Sequence, residues 1–394
     1  MPSLPARYAA LLAAPGVPRF VALSFFMRLP LGTVGLGTLL HVREITGSIA
    51  FAGSVVGAML VASAAAAPIQ GRLIDRHGPR GVLLATGSVA PLALAAILLA
   101  QPLGLSQSTL FAAAVVAGAF SPPITVIVRT LLRARFAEGP LRQSAFALDA
   151  VLLELAYTAG PLAIAAAIAL GSTTAAMAIA LLFLGLAVPL LFVSGGLGWH
   201  RRDAPGPRRL AGPLAEPRLL RLYAATFALC TAFGALEVGY PGFARAAGND
   251  PWGPLLIALS SIGSALGGLA YGGMHVRTPL PRQLPVAMAL LALPLLAHLP
   301  VGNPWVLAPL AVVAGTLIAP AMTVVSLLVS RYAPAGSTTE AFTWSSTAII
   351  SGVGGGMSLG GVLVEHIGAN GAFGLAAAAA LTGSAIALSL RRAN

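Results

Sequence analysis

Five ionisable side chains lie within long apolar stretches of this 394-residue chain: Arg28, Arg129, Asp149, Glu154 and Glu237. A charge inside a lipid bilayer costs about 2.5–3.5 kcal/mol on insertion scales, so residues of this kind are candidates for function. A carboxylate that alternates between its ionised and protonated forms can carry a proton, and a nearby arginine stabilises the ionised form. These residue types therefore suggest proton-coupled movement of a solute.

Arg28 and Glu154 lie at similar depths in the first and fifth apolar stretches, so we expect them to form an ion pair if these stretches are neighbours in the fold. Arg28 follows Arg19 by nine residues, which places it ~13 Å into the first apolar stretch at the rise of an α-helix. Glu154 follows Arg142 by twelve residues, which places it ~18 Å into the fifth. We expect Glu154 to be the proton-coupling group with Arg28 as its partner. The alternative is a static, structural ion pair.

Arg129 and Asp149 lie nearer the polar ends of the fourth and fifth apolar stretches. We include both among the candidate proton-coupling residues. The alternative for Arg129 is that its long side chain reaches the membrane surface and has no role in coupling.

Glu237 precedes Tyr240-Pro241-Gly242 in the seventh apolar stretch. The Pro-Gly pair is expected to kink or break that helix and to free backbone groups near a carboxylate. Glu237 is thus a candidate to contact a solute or close an outer gate, the alternative being a solvent-facing residue. Aromatic side chains near these charges could stack on an amphipathic solute, although most aromatics in such stretches face lipid or core. The candidates are Phe26, Tyr157, Phe233, Tyr240 and Trp344.

The composition excludes several classes of protein. Hydrophobic residues make up 57% and charged residues 9% of the chain, with a mean hydropathy of +0.89, whereas soluble domains carry about 25% charged residues. All 23 basic residues are arginine, and the lack of lysine excludes P-loop ATPase and Schiff-base chemistry. The single cysteine, Cys230, cannot form an intrachain disulfide. The six histidines are scattered, so we expect neither a metal site nor a cofactor.

Twelve stretches are long enough to cross a bilayer, which takes roughly 20 apolar residues. An even number of spans places both termini on the same side of the membrane. The predicted spans are 18–40, 47–69, 81–101, 107–132, 144–169, 174–197, 219–244, 252–273, 283–299, 304–330, 339–364 and 370–390.

The arginines predict the orientation. With these spans, twenty of the 23 arginines lie beyond or near the span ends on the side of the termini, two lie on the other side, and Arg28 lies deep within a span. This asymmetry marks the arginine-rich side as cytoplasmic. The net charge of +12 therefore mostly reflects the orientation of the chain in the membrane, and we expect no nucleic-acid partner. We expect a multi-pass protein of the plasma (inner) membrane with both termini in the cytoplasm.

The chain divides into two halves that resemble each other. Residues 198–217 form the longest polar stretch and predict a cytoplasmic linker between residues 1–197 and 218–394. Ala145-Phe146 recurs as Ala341-Phe342 at an offset of 196 residues, and Arg135-Phe136-Ala137 recurs as Arg331-Tyr332-Ala333 at the same offset. A shared offset between spans of equal rank indicates an internal repeat.

The densest cluster of charge and turn residues is Gly71–Arg80, which predicts a tight polar turn between the second and third spans. Its spacing, Gly-x-x-x-Asp-Arg-x-Gly-x-Arg, is carried by Gly71, Asp75, Arg76, Gly78 and Arg80. This pattern resembles the signature loop of the major facilitator superfamily, with Pro79 where that family usually has a basic residue.

The resemblance implies two six-helix bundles with a solute site near the midplane between them. It further implies that Asp75 faces the positive N-terminal end of the eleventh span and latches the cytoplasmic side shut. Ser337-x-x-Glu340 predicts a capping box at that end, so Glu340 joins the candidate latch residues. The alternative is that Asp75 only forms a turn. Arg129, in the fourth span, is similar in residue type to an arginine that the family uses in proton coupling.

Glycines at helical spacing predict faces on which the halves slide. The resemblance places such faces where the second span meets the eleventh and the fifth meets the eighth. Gly160-Pro161 in the fifth span matches part of a motif of the drug–proton antiporters, but the surrounding glycines of that motif are replaced. The candidate glycines are Gly53, Gly57, Gly263, Gly267, Gly352, Gly356 and Gly360.

The sequence thus predicts an all-α membrane protein of twelve transmembrane helices in two six-helix pseudo-repeat bundles. We expect a monomeric secondary transporter in a lipid bilayer that moves a small organic or amphipathic molecule by alternating access, through proton-coupled efflux. The main alternative is proton-coupled uptake of a nutrient such as a sugar or vitamin. A membrane-embedded enzyme would need a clustered nucleophile and base or metal ligands, and a sensor or scaffold would normally carry a soluble domain. The sequence shows neither feature.

Overall fold

The structure is a computed structural model that describes residues 4–170, 172–199, 212–248 and 252–391. The described part of the chain is helical and contains twelve stretches long and apolar enough to cross a membrane. The predicted fold class is confirmed. The helices are α1 Leu4–Ala13, α2 Val17–Arg28, α3 Pro30–Thr46, α4 Ile49–His77, α5 Pro79–Leu98, α6 Gln107–Ala119, α7 Ile124–Arg135, α8 Pro140–Leu170, α9 Thr173–Val193, α10 Pro217–Ala246, α11 Trp252–Gly273, α12 Leu280–His298, α13 Pro304–Tyr332, α14 Thr338–Ile367 and α15 Ala369–Leu388.

Two of the twelve spans are each built from two helices. The first span is α2 followed by α3, and the break falls between Arg28 and Pro30, because proline has no N–H to continue the helical ladder. The fourth span is α6 followed by α7, and Pro122-Pro123 lies in the gap between them. Both spans were predicted as continuous, and these prolines are the sequence signal for the breaks.

The predicted polar turn at Gly71–Arg80 is mostly helix. Helix α4 continues through His77, and Gly78, with φ of 86°, is the single residue that separates it from α5. The helix has 29 residues, which is ~43 Å at 1.5 Å per residue, whereas the hydrocarbon core is about 30 Å thick. The charged end of α4 therefore extends beyond the hydrocarbon without having to leave the helical conformation.

The predicted break at Tyr240-Pro241-Gly242 is absent, because α10 runs through Pro241 to Ala246. Helix α11 packs closely at this point. A Cβ atom on Gly253 would lie only 2.9 Å from the Cα atom of Pro241.

Helices within residues 17–193 pack on each other, as do those within residues 217–388. In the second group α10 packs against α14 and α15, and α11 against α13. This packing contradicts the prediction that the glycines of the eighth and eleventh spans face the other half. Gly263 and Gly267 lie against Val312 and Thr316 of α13, whereas Gly352, Gly356 and Gly360 lie against α10. Neither Gly53 nor Gly57 has an atom within 4 Å of an added Cβ.

Contact between the two groups concentrates at the arginine-rich end, where α8 meets α11 and α4 meets α14. Phe146 of α8 and Phe342 of α14 are 1% and 0% exposed, and their ring centroids lie 6.2 Å apart. These phenylalanines occupy equivalent positions of the internal repeat. Repeat-equivalent residues meet where a pseudo-two-fold axis passes between them, so this pair lies near that axis.

The division into 1–197, 198–217 and 218–394 remains a prediction. Most of the proposed linker, residues 200–211, lies outside the described residues. On either side of this gap, short 3₁₀ turns form at Gly196–Trp199 and Gly212–Ala215.

Candidate functional site

The buried charges near the middle of the first group form a triad. Arg28 donates a hydrogen bond from Nη2 to Asp149 Oδ1, and Arg129 Nε donates to Asp149 Oδ2 at 3.1 Å. The three residues are only 1–3% exposed. They come from α2, α7 and α8, so the triad ties three helices of this group together.

The predicted Arg28–Glu154 ion pair is therefore wrong, because Arg28 pairs with Asp149. Asp149 follows Arg142 by seven residues, which places it ~10 Å along the helix, closer to the ~13 Å depth of Arg28 than Glu154 at ~18 Å. Asp149 and Glu154 also point ~140° apart around α8, given 3.6 residues per turn. Both depth and helix face thus favour Asp149.

Glu154 instead faces the second group of helices. Its carboxyl group lies beside the Ser261 hydroxyl of α11 and within electrostatic range of Glu237 on α10. The structure brings together two of the predicted site residues, Glu154 and Glu237, from opposite sides of the molecule. Ser261 was not predicted, and a lone serine in an apolar span gives no sequence signal.

The surroundings of Tyr157 indicate an open cavity between the two groups of helices. This side chain is 49% exposed, yet it lies within electrostatic range of Glu154, of Arg129 and of Cys230 on α10. A side chain surrounded by such groups faces an internal space rather than lipid. Tyr157 is thus placed where a solute between the two groups could contact it.

The other aromatic candidates are placed less favourably. Tyr240 is 1% exposed, and its hydroxyl oxygen lies 3.2 Å from His298 Nε2, so its ring cannot stack on a solute in this conformation. Phe233 packs against the hydrophobic core of the second group. Phe26 is 49% exposed and its ring contacts that of Phe25, with 5.3 Å between centroids. Trp344 lies one helical turn beyond Glu340, so it is at the arginine-rich end and not near Glu154 and Glu237.

At that end, Asp75 caps α14 from another helix. Its carboxylate oxygens accept hydrogen bonds from the backbone N–H groups of Thr339 and Glu340 at 2.9 and 2.8 Å. The predicted contact with the N-terminus of the eleventh span is present. The predicted capping box is not, because Ser337 makes no side-chain cap and Glu340 pairs with Arg72 of α4 instead, with 2.6 Å between Arg72 Nη2 and Glu340 Oε1.

The glycine and arginines of the signature pattern have different environments. A Cβ on Gly71 would lie 2.7 Å from Thr343 Oγ1 and 3.0 Å from the Cα atom of Glu340, so only glycine lets α4 approach α14 this closely. Arg76 and Arg80 are exposed. The arginine that reaches across to Glu340 is Arg72, which was not among the candidates.

Further hydrogen bonds join the two groups at the same end, all made by residues outside the predicted site. Arg133 donates to the Thr338 hydroxyl. Ser144 Oγ lies 2.5 Å from the Gly272 carbonyl oxygen, and Gln143 donates to the Tyr271 carbonyl at 2.7 Å. Backbone acceptors dominate these contacts, and sequence patterns do not reveal them.

The N-terminal helix α1 also lies at this end and forms hydrogen bonds with the second group. Arg7 Nη1 donates to the Met274 carbonyl at 2.8 Å, and the Tyr8 hydroxyl donates to the Leu269 carbonyl at 2.9 Å. Burial raises the pKa of Tyr8 to about 12, so the phenol keeps its proton and this hydrogen bond at ordinary pH. Helix α1 was not predicted, because it is too short and too polar to read as a span.

In the ranges that the structure describes, no three His, Cys, Asp or Glu side chains lie close enough together to hold a metal ion.

The family model of the Major Facilitator Superfamily matches residues 20–349. No curated protein matches the sequence.

Several solved transporters share the fold. A bacterial homologue of the iron transporter ferroportin, in an outward-facing state, matches with a TM-score of 0.79 and 13% identity over 95% of this chain and 99% of that chain. The human organic anion transporter MFSD10 (TETRAN) matches with a TM-score of 0.71 and 19% identity over 95% and 99%. The E. coli fucose:proton symporter FucP matches with a TM-score of 0.71 and 11% identity over 95% and 98%.

These proteins carry solutes and are not enzymes. The family model covers most of the span region, the twelve spans match the fold, and the signature pattern of α4 contacts α14. The chain belongs to the major facilitator superfamily of membrane transporters.

Proposed function

We propose that this protein is a proton-coupled secondary active transporter that exports a small organic or amphipathic solute by alternating access. The observation that carries the proposal is the meeting of Glu154, Ser261 and Glu237 beside the central cavity. The two carboxyl groups come from helices in opposite halves. Because the proton site is divided between the halves, its affinity for a proton changes whenever the halves move relative to each other.

The coupling follows from electrostatics. In the described part of the chain no cationic side chain contacts Glu154, so binding a proton is the direct way to neutralise its charge in a medium of low dielectric. Two carboxylates within electrostatic range also repel each other, and protonation of one of them relieves this repulsion. Rocking of the halves separates Glu154 from Glu237 and Ser261, which changes the affinity for the proton. The buried Arg28–Asp149–Arg129 triad lies nearer the arginine-rich end, with Asp149 ~7.5 Å before Glu154 along α8.

We assign the arginine-rich side to the cytoplasm, by the positive-inside rule. Both termini then lie in the cytoplasm. The transporter is a monomer in the plasma membrane. The conformation is outward-facing, because the arginine-rich side is closed. In the described chain the hydrogen bonds between the halves lie on that side, apart from the Glu154–Ser261 contact. FucP, named as a fucose:proton symporter, illustrates that this fold supports proton coupling.

Asp75 and its neighbours act as the latch of this conformation. The residues are Gly71, Asp75, Arg76, Gly78, Arg80 and Glu340, with Arg72 added by the structure. Asp75 supplies a negative charge to the positive end of α14. Release of this cap is required before the arginine-rich side can open.

Transport by purified protein in proteoliposomes tests the function. The solute is a compound that stabilises the protein saturably in a thermal-shift screen across compound classes, and the signals are solute flux and lumenal pH. Antiport acidifies the lumen that is loaded with solute, because protons enter as the solute leaves. Symport makes that lumen more alkaline and would favour the alternative of uptake.

Glu154→Gln tests the coupling residue. We expect this variant to lose pH-driven flux and to retain exchange of solute for solute, because the amide binds no proton in this pH range. Glu365→Gln, which changes an exposed acid near the far end of α14, is the matched control and should behave as the wild type. Unchanged pH-driven flux in Glu154→Gln would remove this residue from the mechanism.

A further inference from the structure

The Arg28–Asp149–Arg129 triad carries more positive than negative charge. Two guanidinium groups share one carboxylate, and all three residues are at most 3% exposed. Arginine stays protonated in proteins. The triad therefore has a formal charge of +1 in a region where an uncompensated charge is costly.

The triad also has unused hydrogen-bond donors. Arg28 Nε and Nη1 are buried and have no hydrogen-bond partner among the described residues. Arg129 donates to Asp149 through Nε alone, which leaves its two terminal nitrogens without an acceptor in the ranges described. A guanidinium group presents five N–H donors in a planar fork that matches carboxylate and phosphate oxygens. An anionic acceptor would satisfy both the charge and the donors.

Of the two arginines, Arg129 is the one within electrostatic range of Tyr157 and of Cys230 on α10, which belongs to the other half. Tyr157 adds a phenolic O–H on a side chain that is 49% exposed. Arg28 contacts Asp149 from the opposite helix, α2, and holds that carboxylate in place.

The acidic groups of the cavity lie higher along α8. Glu154 is five residues beyond Asp149, ~7.5 Å further along the helix axis. Glu237 lies within electrostatic range of Glu154. A cationic end and an acidic end of the cavity are therefore separated, and an anionic group has a binding position away from the carboxyl pair.

We infer that the solute is an organic anion whose carboxylate, sulfonate or phosphate group binds to Arg129 and Tyr157. This assignment rests on the proposed transport function and deepens it by naming the chemical class of the solute. The anion and the carboxyl groups of Glu154 and Glu237 then occupy one cavity, so the protonation state of the carboxyl groups affects how tightly the anion binds.

Binding to the purified protein in detergent tests the assignment without requiring transport. The probes share a phenyl ring: benzoate, benzenesulfonate and phenyl phosphate are the anions, benzylamine is the cation and benzyl alcohol is neutral. Thermal shift is measured against concentration at constant ionic strength. We expect saturable stabilisation by at least one anion and none by benzylamine at the same concentrations.

Arg129→Gln should weaken binding of that anion by about tenfold or more, the effect of losing a charge-assisted hydrogen bond. Arg245→Gln changes an exposed arginine outside the cavity and is expected to bind as the wild type. If Arg129→Gln does not fold, Tyr157→Phe is tested in its place. We expect its affinity for the anion to fall several-fold, because one hydroxyl group is removed. Failure of all three anions to bind, or equal binding by the folded variant and the wild type, would overturn the assignment.

The outcomes separate this inference from the proposed function. Preferential binding of benzylamine, with proton-coupled flux of that amine, would overturn the anion and leave proton-coupled transport standing. Anion binding that depends on Arg129, without proton-coupled flux, would support the anion site and contradict the proposed function.

Discussion

Asp149 and Glu154 stand five residues apart on α8 and have opposite surroundings. Asp149 contacts Arg28 and Arg129 within its own half, whereas Glu154 faces Ser261 and Glu237 in the other half. Sequence patterns gave the depth of each charge in its span, because depth follows from counting residues. They did not give its partner, because that depends on which face of the helix each neighbour occupies.

Removing the carboxylate of the triad should destabilise the protein. Asp149→Asn leaves two buried guanidinium groups without a counter-charge, and breaking a buried ion pair from one side costs about 3–5 kcal/mol. We expect a clear fall in the unfolding temperature of the purified protein. Glu154→Gln, which breaks no ion pair in the described chain, should cause a smaller fall. Equal unfolding temperatures for Asp149→Asn and the wild type would show that the triad contributes no stability.

At the scale of helices, the cap on α14 comes from α4 and not from its own sequence. Asp75 occupies the Glu340 N–H group that Ser337 would serve in a capping box, and the neighbouring N–H group of Thr339 as well. The resemblance to the superfamily predicted this contact, whereas local sequence rules predicted the capping box. The breaks in the first and fourth spans could have been predicted from Pro30 and from Pro122-Pro123. The docking of α1 could not, since its acceptors are backbone carbonyls of α11 and the residue that follows it.

Asp75→Asn should loosen the arginine-rich end. The amide is a weaker acceptor and carries no charge, so the change should cost the closed end about 1 kcal/mol, within the range for helix caps. Spin labels at Arg76 and Ala335, both exposed, in a Cys230→Ser background would report the distance between α4 and α14. We expect a larger population at long distance in Asp75→Asn. An unchanged distance distribution would contradict the latch.

Close packing of α3 on α8 gives a second prediction at this scale. A Cβ on Gly160 would lie 2.6 Å from the Cα atom of Gly32, so Gly160→Ala forces these helices apart. We expect a loss of about 1–3 kcal/mol, as for other overpacked sites, seen as a lower unfolding temperature. Gly81→Ala is the control, because an added Cβ there meets nothing within 4 Å and alanine favours the helix. A Gly160→Ala variant as stable as Gly81→Ala would show that α3 and α8 can separate without cost.

For the whole molecule, span number followed from hydropathy, because apolar length is a property of the sequence alone. The internal repeat was visible as a shared offset, and the structure gives it a physical meaning in the contact of Phe146 with Phe342. The surfaces between the halves were less predictable. Glycines expected there pack within the second half, because small residues serve any close helix pair and their spacing does not identify the partner.

The central claim is that one cavity between two halves is exposed to each side of the membrane in turn. Tyr157→Cys, in a Cys230→Ser background, places a thiol in that cavity, and a membrane-impermeant thiol reagent is applied from one side at a time to oriented proteoliposomes. With Asp75 intact, we predict faster labelling from the arginine-poor side. With Asp75→Asn added, labelling from the arginine-rich side should rise and labelling from the other side should fall. Labelling that rises from both sides together, or that ignores Asp75→Asn, would contradict alternating access.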